Sequence, residues 1–239
     1  MALIHSPGPV KSGMVMCVDA GNTKSYPGSG TTWTNIVDTS ASTDGTLVGS
    51  PTYTSTRPSY FTFASASTQR VTFPSSSTFQ FLGTANYTLE AWVYPTSAAL
   101  ATTYIIDRSS ATPDGYALRI SGLGSTIGFN AVRFIGGATQ ANVSSGATAA
   151  NLNAWRHVVC TYDGANVVLY VDGVNAGTGT SASAGSITDT TKAVEIGARS
   201  AASYINARIS TARIYNVALT AAQVYQNFLA FDARYGIPG

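Results

Sequence analysis

The sequence predicts an all-β fold, a two-sheet antiparallel sandwich with one short C-terminal helix. Residues 155–162 and 165–171 are rich in apolar, β-branched and aromatic side chains, and Asp163-Gly164 lies between them. This arrangement is typical of a β-hairpin, because type I′ turns need positive φ angles that Gly and Asp tolerate. A second Asp-Gly pair at 172–173 predicts the next turn. Residues 167–171 do not alternate in polarity, which indicates a strand covered on both faces.

The other strands and loops follow in order along the chain. Residues 1–12 include Pro-Gly-Pro, and we expect an extended N-terminal arm that is either disordered or docked on a neighbour. Residues 13–20 predict the first strand, and residues 21–58 predict a mostly loop region because turn-forming residues recur in it. Strand patterns then continue to Ile214. At this length, residues 13–239 are expected to form a single domain.

The helix is predicted over Ala221–Phe231. Thr220 is a good N-cap, and Gln223 three residues later completes a capping box. Four apolar side chains recur at helical spacing and predict one buried face: Val224, Tyr225, Phe228 and Phe231.

Composition excludes several classes of partner. Only 10% of residues are charged and the formal net charge is +2, so the composition offers no electrostatic case for binding nucleic acid. No run approaches the roughly 18 apolar residues that a membrane span needs. The N-terminus lacks the basic and apolar regions of a secretory signal, and we expect synthesis and folding in the cytoplasm.

The two cysteines, Cys17 and Cys160, lie in predicted strands and have no metal-binding spacing. Without a secretory signal, buried free thiols are favoured over a disulfide, which stays the alternative.

Three motifs in order resemble the laminin-G-like, concanavalin A-like jelly-roll family. The first is Tyr87–Pro95, the second is Trp155–Gly173, and the third comprises Glu195–Gly197 with the closing segment 209–220. Residues 60–63 and 69–73 also lie where this family has two strands. The resemblance covers nearly the whole chain after Gly13 and implies a jelly-roll sandwich. It also implies a structural role for His157, and we expect structural roles for four further residues: Glu90, Trp92, Trp155 and Arg213.

Catalytic motifs are absent from the sequence. Glycosidases of the resembled fold carry Glu-x-Asp-x-x-Glu on one strand, and this chain has only Glu90 and Glu195, neither of which begins that motif. His157 is interpreted as a packed or hydrogen-bonded residue. A buried Glu90 is costly alone, so we expect it to pair with Arg208 or Arg213 or to accept backbone hydrogen bonds. The sequence therefore predicts a non-enzymatic protein.

Ligand binding is the activity that the resemblance implies, since related modules bind glycans with aromatic faces and carboxylates. The candidate residues are Tyr104, Asp107, Arg108, Asp114, Tyr116 and Tyr204. Asp107 and Asp114 are also candidates to share a calcium ion, although no spaced oxygen-ligand motif supports it. Local packing is the alternative role for these aromatic side chains.

The two ends of the chain resemble stand-alone jelly rolls in virion proteins of tailed bacteriophages, through residues 13–33 and 225–237. The resemblance implies a virion protein assembled in the host cytoplasm, most simply a capsid decoration protein. Its partners would be capsid proteins, further copies of itself and surface glycans. A tail-fibre or receptor-binding module is the alternative, and a bacterial carbohydrate-binding module or minor glycan hydrolase is the third class.

Overall fold

The computed structural model describes residues 7–38, 40–97, 102–109, 114–123, 125–180 and 186–237. Sixteen strands are present in this part of the chain. The first eight are β1 Met14–Asp19, β2 Thr32–Trp33, β3 Gly45–Val48, β4 Thr52–Thr54, β5 Tyr60–Phe63, β6 Arg70–Thr72, β7 Tyr87–Pro95 and β8 Thr102–Ser109. The others are β9 Gly115–Leu123, β10 Thr126–Ile135, β11 Ala138–Ser144, β12 Arg156–Tyr162, β13 Asn166–Val171, β14 Val174–Thr180, β15 Glu195–Ile196 and β16 Ala207–Tyr215.

These strands form two antiparallel sheets that pack face to face, which confirms the predicted sandwich. Sheet A has the order β14-β13-β12-β7-β16-β5-β4, and β1 also pairs with β16. Sheet B has the order β11-β10-β9-β8-β15-β6-β3-β2. Apolar side chains from both inner faces, among them Phe61, Leu89, Ile106, Leu118 and Leu169, form one hydrophobic core.

Part of the outer face of sheet A is covered by the C-terminal helices, α1 Ala221–Leu229 and α2 Asp232–Tyr235. The predicted capping box is present, with Thr220 and Gln223 bonded reciprocally. The predicted end at Phe231 is wrong, because α1 ends at Leu229 and the chain turns before α2 begins. Tyr225 is 44% exposed, so it does not share the buried face of Val224 and Phe228.

Strand β13 is covered on both faces, as its pattern predicted. Val167 and Leu169 face the core, whereas Tyr170 packs with Val224 of α1 on the other face. The covering layers are therefore sheet B and a helix. This explains why the strand is apolar at consecutive positions.

The two Asp-Gly turns join β12, β13 and β14 as predicted, but they differ in type. The turn at 172–173 has positive φ at both residues, 50° for Asp172 and 78° for Gly173, as a type I′ turn requires. The first connection spans residues 163–165, between the end of β12 and the start of β13, so the expectation of a two-residue turn there is wrong. The Asp163 carboxylate accepts hydrogen bonds from the Ala165 and Asn166 amides, which stabilises the longer loop.

Three further expectations concern the N-terminal region and the cysteines. The region 21–58 is mostly loop but contains β2, β3 and β4. Residues 1–6 of the predicted arm lie outside the described residues, while residues 7–12 lie against α1, where the Val10 amide donates to Asn227 Oδ1 at 2.7 Å. Cys17 and Cys160 are buried free thiols, which confirms that interpretation.

No helix in the described part of the chain is long and apolar enough to cross a membrane.

Candidate functional site

The candidate site is a shallow pocket of about 260 Å³ on the outer face of sheet B. Its lining residues come from β8, β15 and the loops that flank β15, and they are Asp107, Ser109, Lys192, Ala193, Glu195 and Ser200. We call it the carboxylate pocket, because two carboxylates, Asp107 and Glu195, form its floor.

The sheet register brings these carboxylates together. Glu195 of β15 is the direct antiparallel partner of Asp107 in β8, so both side chains leave the same face of sheet B. A β-bulge between Tyr104 and Ile106 shifts the register of β8 against β9. Tyr104 and Asp107, three positions apart, therefore share the outer face, whereas simple alternation would place them on opposite faces.

Asp107 is almost completely buried and its carboxylate bonds to Ser109. The Ser109 hydroxyl donates to Asp107 Oδ1 at 2.8 Å and the Ser109 amide donates to Oδ2 at 3.2 Å. Burial raises the pKa of Asp107 to about 7, since these bonds and the nearby Arg199 charge compensate only part of the desolvation cost, and Glu195 adds to the rise. At neutral pH a substantial fraction of Asp107 is therefore protonated and able to donate a hydrogen bond.

Glu195 has a different environment, since a cation faces it directly. Arg70 Nε lies 3.3 Å from Glu195 Oε1, and the Ala201 amide donates to Oε2 at 3.1 Å. The Arg70 guanidinium in turn lies 6.0 Å from the ring centroid of the half-exposed Tyr204. The pocket thus combines a paired carboxylate, an Asp with a raised pKa and the Lys192 side chain.

The raised pKa predicts an unusual pH dependence for Asp107→Asn. A group whose pKa is raised by folding destabilises the folded state as pH rises from about 4 to about 7, because the unfolded chain ionises more readily. The variant removes this cost. We expect its free energy of unfolding to exceed that of the natural chain by about 1–4 kcal/mol at pH 8 and to match it near pH 4. Urea unfolding at both pH values measures the difference.

Asp163→Asn is the matched control for this prediction. Slight burial raises the pKa of Asp163, but hydrogen bonds from the Asn166 and Ala165 amides lower it overall. The Asp163 carboxylate therefore stabilises the folded state above the pKa that it has in the unfolded chain, and this contribution is lost as pH falls. The free energy of unfolding of Asp163→Asn should consequently lie below that of the natural chain at neutral pH and approach it at low pH. A pH-independent effect of Asp107→Asn would contradict the assignment of its raised pKa.

The structure brings three of the six predicted ligand-binding residues to one region. Asp107 is in the pocket, and the Tyr204 ring lies near Arg70, the partner of Glu195. Tyr104 lies farther along β8, where the Arg199 Nη1 atom donates to its hydroxyl at 2.9 Å. The Arg199 guanidinium also covers the Tyr104 ring, and Tyr104 is only 3% exposed. Its ring is therefore not available as a flat sugar-stacking surface in this conformation.

The other three predicted residues lie in structural positions. Arg108 is fully buried and donates from Nη2 to the Asp189 carbonyl at 2.7 Å. Tyr116 is a core residue whose hydroxyl donates to the Phe79 carbonyl. The Asp114 carboxylate accepts hydrogen bonds from the Thr188 amide and hydroxyl, which ties β9 to the segment before β15. Residues 110–113 between Arg108 and Asp114 lie outside the described residues.

Asp107 and Asp114 bond to different partners, Ser109 and Thr188. Within the described ranges, no three His, Cys, Asp or Glu side chains lie together as metal ligands. A shared calcium ion stays a prediction from the sequence.

The residues with predicted structural roles cluster beneath the helices. Arg213 Nη1 contacts Glu90 Oε1, and His157 Nε2 lies 3.2 Å from the same oxygen. Of the two proposed partners of Glu90, Arg213 makes the contact, whereas Arg208 lies against aromatic rings. Trp92 is completely buried and Trp155 half-buried.

Sequence reasoning missed Arg70 and Lys192 as site residues and treated Glu195 only as part of a strand motif. One signal was available: Glu195 is one of two glutamates in a chain with 10% charged residues. Its pairing with Asp107 was not predictable, because it depends on the register between strands that are distant in sequence.

Solved structures with the same fold were found at low sequence identity. The binding domain of Paraclostridial Mosquitocidal Protein 1 matches with a TM-score of 0.70 and 15% identity, over 95% of this chain and 55% of that chain. A Trypanosoma rangeli sialidase mutant displaying trans-sialidase activity matches with a TM-score of 0.66 and 17% identity, over 93% of this chain and 33% of that chain. Trypanosoma rangeli sialidase in complex with sialic acid matches with a TM-score of 0.65 and 16% identity, over 95% of this chain and 36% of that chain.

The chain thus spans about half or less of these proteins, and the likeness shows the fold alone. No protein with a curated description matches the chain in sequence. Residues 64–225, more than half of the chain, match the sequence model of one family. Together with the two-sheet sandwich, this match places the chain in the concanavalin A-like lectin/glucanases superfamily.

Proposed function

We propose that this chain is a non-catalytic carbohydrate-binding domain and that the carboxylate pocket binds sugar hydroxyls. The observation that carries the proposal is the pairing of Asp107 with Glu195 on the outer face of sheet B, beside Lys192. Carboxylates accept hydrogen bonds from sugar hydroxyls and an ammonium group donates to them. The half-exposed Tyr204 ring, which lies near the Arg70 partner of Glu195, offers an apolar face for C–H groups of a longer sugar chain.

The size of the pocket limits what it holds. At about 260 Å³ it is smaller than the roughly 300–1,000 Å³ of sites for drug-sized ligands. We therefore expect it to bind one or two units of a longer glycan, with the rest of the glycan lying across the surface. Affinity for a single sugar should be weak, and a multivalent display would raise it.

The two carboxylates also raise a catalytic alternative, because glycosidases use a pair of Asp or Glu residues. A carboxyl group with a raised pKa is suited to act as a general acid, and the pKa of Asp107 is raised. Against this role, Asp107 is 2% exposed and Glu195 is 8% exposed, and both accept hydrogen bonds within the protein. Two groups so enclosed suit fixed hydrogen bonding to a ligand better than attack on a glycosidic bond.

The test is a glycan array followed by calorimetric titration of the best ligand. We expect Glu195→Gln and Lys192→Met to weaken binding at least tenfold, the loss that one charge-assisted hydrogen bond produces. Lys24→Met, which changes an exposed lysine that does not line the pocket, should bind like the natural chain. Binding by all three variants that equals binding by the natural chain would overturn the assignment of the carboxylate pocket as the sugar-binding site. Release of reducing sugar by the natural chain, abolished in Asp107→Asn, would instead establish an enzyme.

We also propose that the chain belongs to the surface of a phage virion. Its favoured role there is that of a capsid decoration protein, and the alternative is a receptor-binding module of the tail. The support is the resemblance of residues 13–33 and 225–237 to phage virion proteins, together with the low charge. Binding of the full chain to expanded shells separates these forms. Saturable shell binding supports decoration, and retention on host cells without shell binding supports the tail module.

A further inference from the structure

A second surface, on the outer face of sheet A, carries three half-buried aromatic rings and one arginine. Tyr60 belongs to β5, Tyr94 to β7 and Arg208 to β16, and Trp155 immediately precedes β12. Arg208 and Tyr94 are direct partners across the two strands. We call these four residues the aromatic patch.

Arg208 is held between two of the rings. Its guanidinium carbon lies 4.7 Å from the centroid of the Tyr94 ring and 5.1 Å from that of Tyr60. The Trp155 ring lies 5.6 Å from Tyr94 and 5.7 Å from Tyr60, and its other neighbour is Tyr235 of α2. Stacking on both sides restricts the rotamers of Arg208, so its donors are oriented before any ligand arrives.

The charge of Arg208 is not neutralised within the described part of the protein. Carboxylates pair there with four other arginines, Arg70, Arg156, Arg213 and Arg234, but none lies within ion-pair distance of Arg208. A planar guanidinium that is half-exposed and stacked matches a carboxylate, which accepts two parallel hydrogen bonds from it. The surrounding rings match an apolar face of the same ligand.

We propose that the aromatic patch is a second saccharide-binding site and that it takes acidic sugars, whose ring bears a carboxylate. The sugar ring would pack on Trp155 and Tyr94 while its carboxylate binds Arg208. The carboxylate pocket lies on the other sheet and offers carboxylate acceptors, which suit sugar hydroxyls rather than a sugar carboxylate. The two faces of the sandwich would therefore bind different saccharides, one through hydroxyl groups and the other through a carboxylate.

The test is an NMR titration with tetragalacturonate and with its carboxyl-reduced galactose counterpart. We expect the acidic probe to shift the Trp155 indole signal and the neutral probe to bind at least tenfold more weakly, since it cannot form the charged hydrogen bonds. Arg208→Gln should cause a similar loss for the acidic probe. Arg208→Lys, which keeps the charge without the planar fork, should cause a smaller loss.

Controls separate this site from the carboxylate pocket. Lys24→Gln removes one positive charge from an exposed position and should leave affinity unchanged, and so should Glu195→Gln. Circular dichroism of Arg208→Gln checks that the fold is retained. Equal affinity for both probes, full binding by Arg208→Gln, or loss of binding with Glu195→Gln would each overturn the proposal. Equally tight binding of tetraglutamate would also overturn it, in favour of an acidic peptide ligand.

Discussion

Replacing Glu90 with Gln is expected to lower the free energy of unfolding by about 3–5 kcal/mol at pH 7, because it leaves a buried cation unpaired. Glu90 is fully buried on β7 and contacts the Arg213 guanidinium. The Asn227 amide donates to its Oε2 atom at 2.6 Å and the Tyr215 hydroxyl lies 3.3 Å from the same atom. Glutamine keeps the volume of the side chain but supplies neither the charge nor two equivalent acceptor oxygens.

The same ion cluster predicts an acid-dependent loss of stability. Burial by itself would raise the pKa of Glu90, but the Arg213 charge and bonds from His157 and Asn227 bring it down to about 2. A lowered pKa in the folded state contributes stability that is present above about 4.5 and is lost as pH falls toward 2. The difference in free energy of unfolding between Glu90→Gln and the natural chain should therefore become smaller below pH 4. Urea unfolding of both proteins at pH 7 and pH 3 measures this difference.

The other glutamate of the chain provides the control. Glu195 pairs with Arg70, and both side chains are less deeply buried than Glu90 and Arg213, so Glu195→Gln is expected to cost less than Glu90→Gln. The double variant Glu90→Gln, Arg213→Met removes the unpaired cation and should recover part of the loss. Unchanged stability in Glu90→Gln would show that the ion cluster is not structural.

Trp92→Ala is expected to cost about 3–5 kcal/mol and to loosen the C-terminal helices. Trp92 is completely buried between sheet A and these helices. Its ring stacks on Tyr235 with the centroids 3.9 Å apart and also contacts Phe228 and His157. Alanine removes this contact surface, so amides of α1 and α2 should lose hydrogen-exchange protection beyond the fall in global stability.

Trp33→Ala is the matched control, because Trp33 is equally buried but lies in the core between the sheets. It should lower global stability by a similar amount without a selective effect on residues 221–235. If Trp92→Ala reduced protection uniformly across both sheets, Trp92 would not anchor the helices. Hydrogen exchange followed by mass spectrometry distinguishes the two patterns.

Local sequence signals determined much of the architecture. The Asp-Gly pairs marked the turns after β12 and β13, because they supply backbone conformations that few other residues tolerate. Thr220 and Gln223 marked the start of α1 through a bond pattern that spans only three residues. The apolar run in β13 correctly indicated a strand that is buried on both faces. It did not indicate that one of those faces packs against a helix.

The functional surfaces were decided by the tertiary structure. The bulge in β8 determines that Asp107 faces outward and Arg108 inward, and a bulge leaves no mark in the alternation of polar and apolar residues. The pairing of β15 with β8 then places Glu195 beside Asp107. The sequence alone therefore determined most of the strands, the position of these turns and the start of α1, because those preferences are local. Which side chains share a surface depends on strand register and sheet order, which only long-range packing determines.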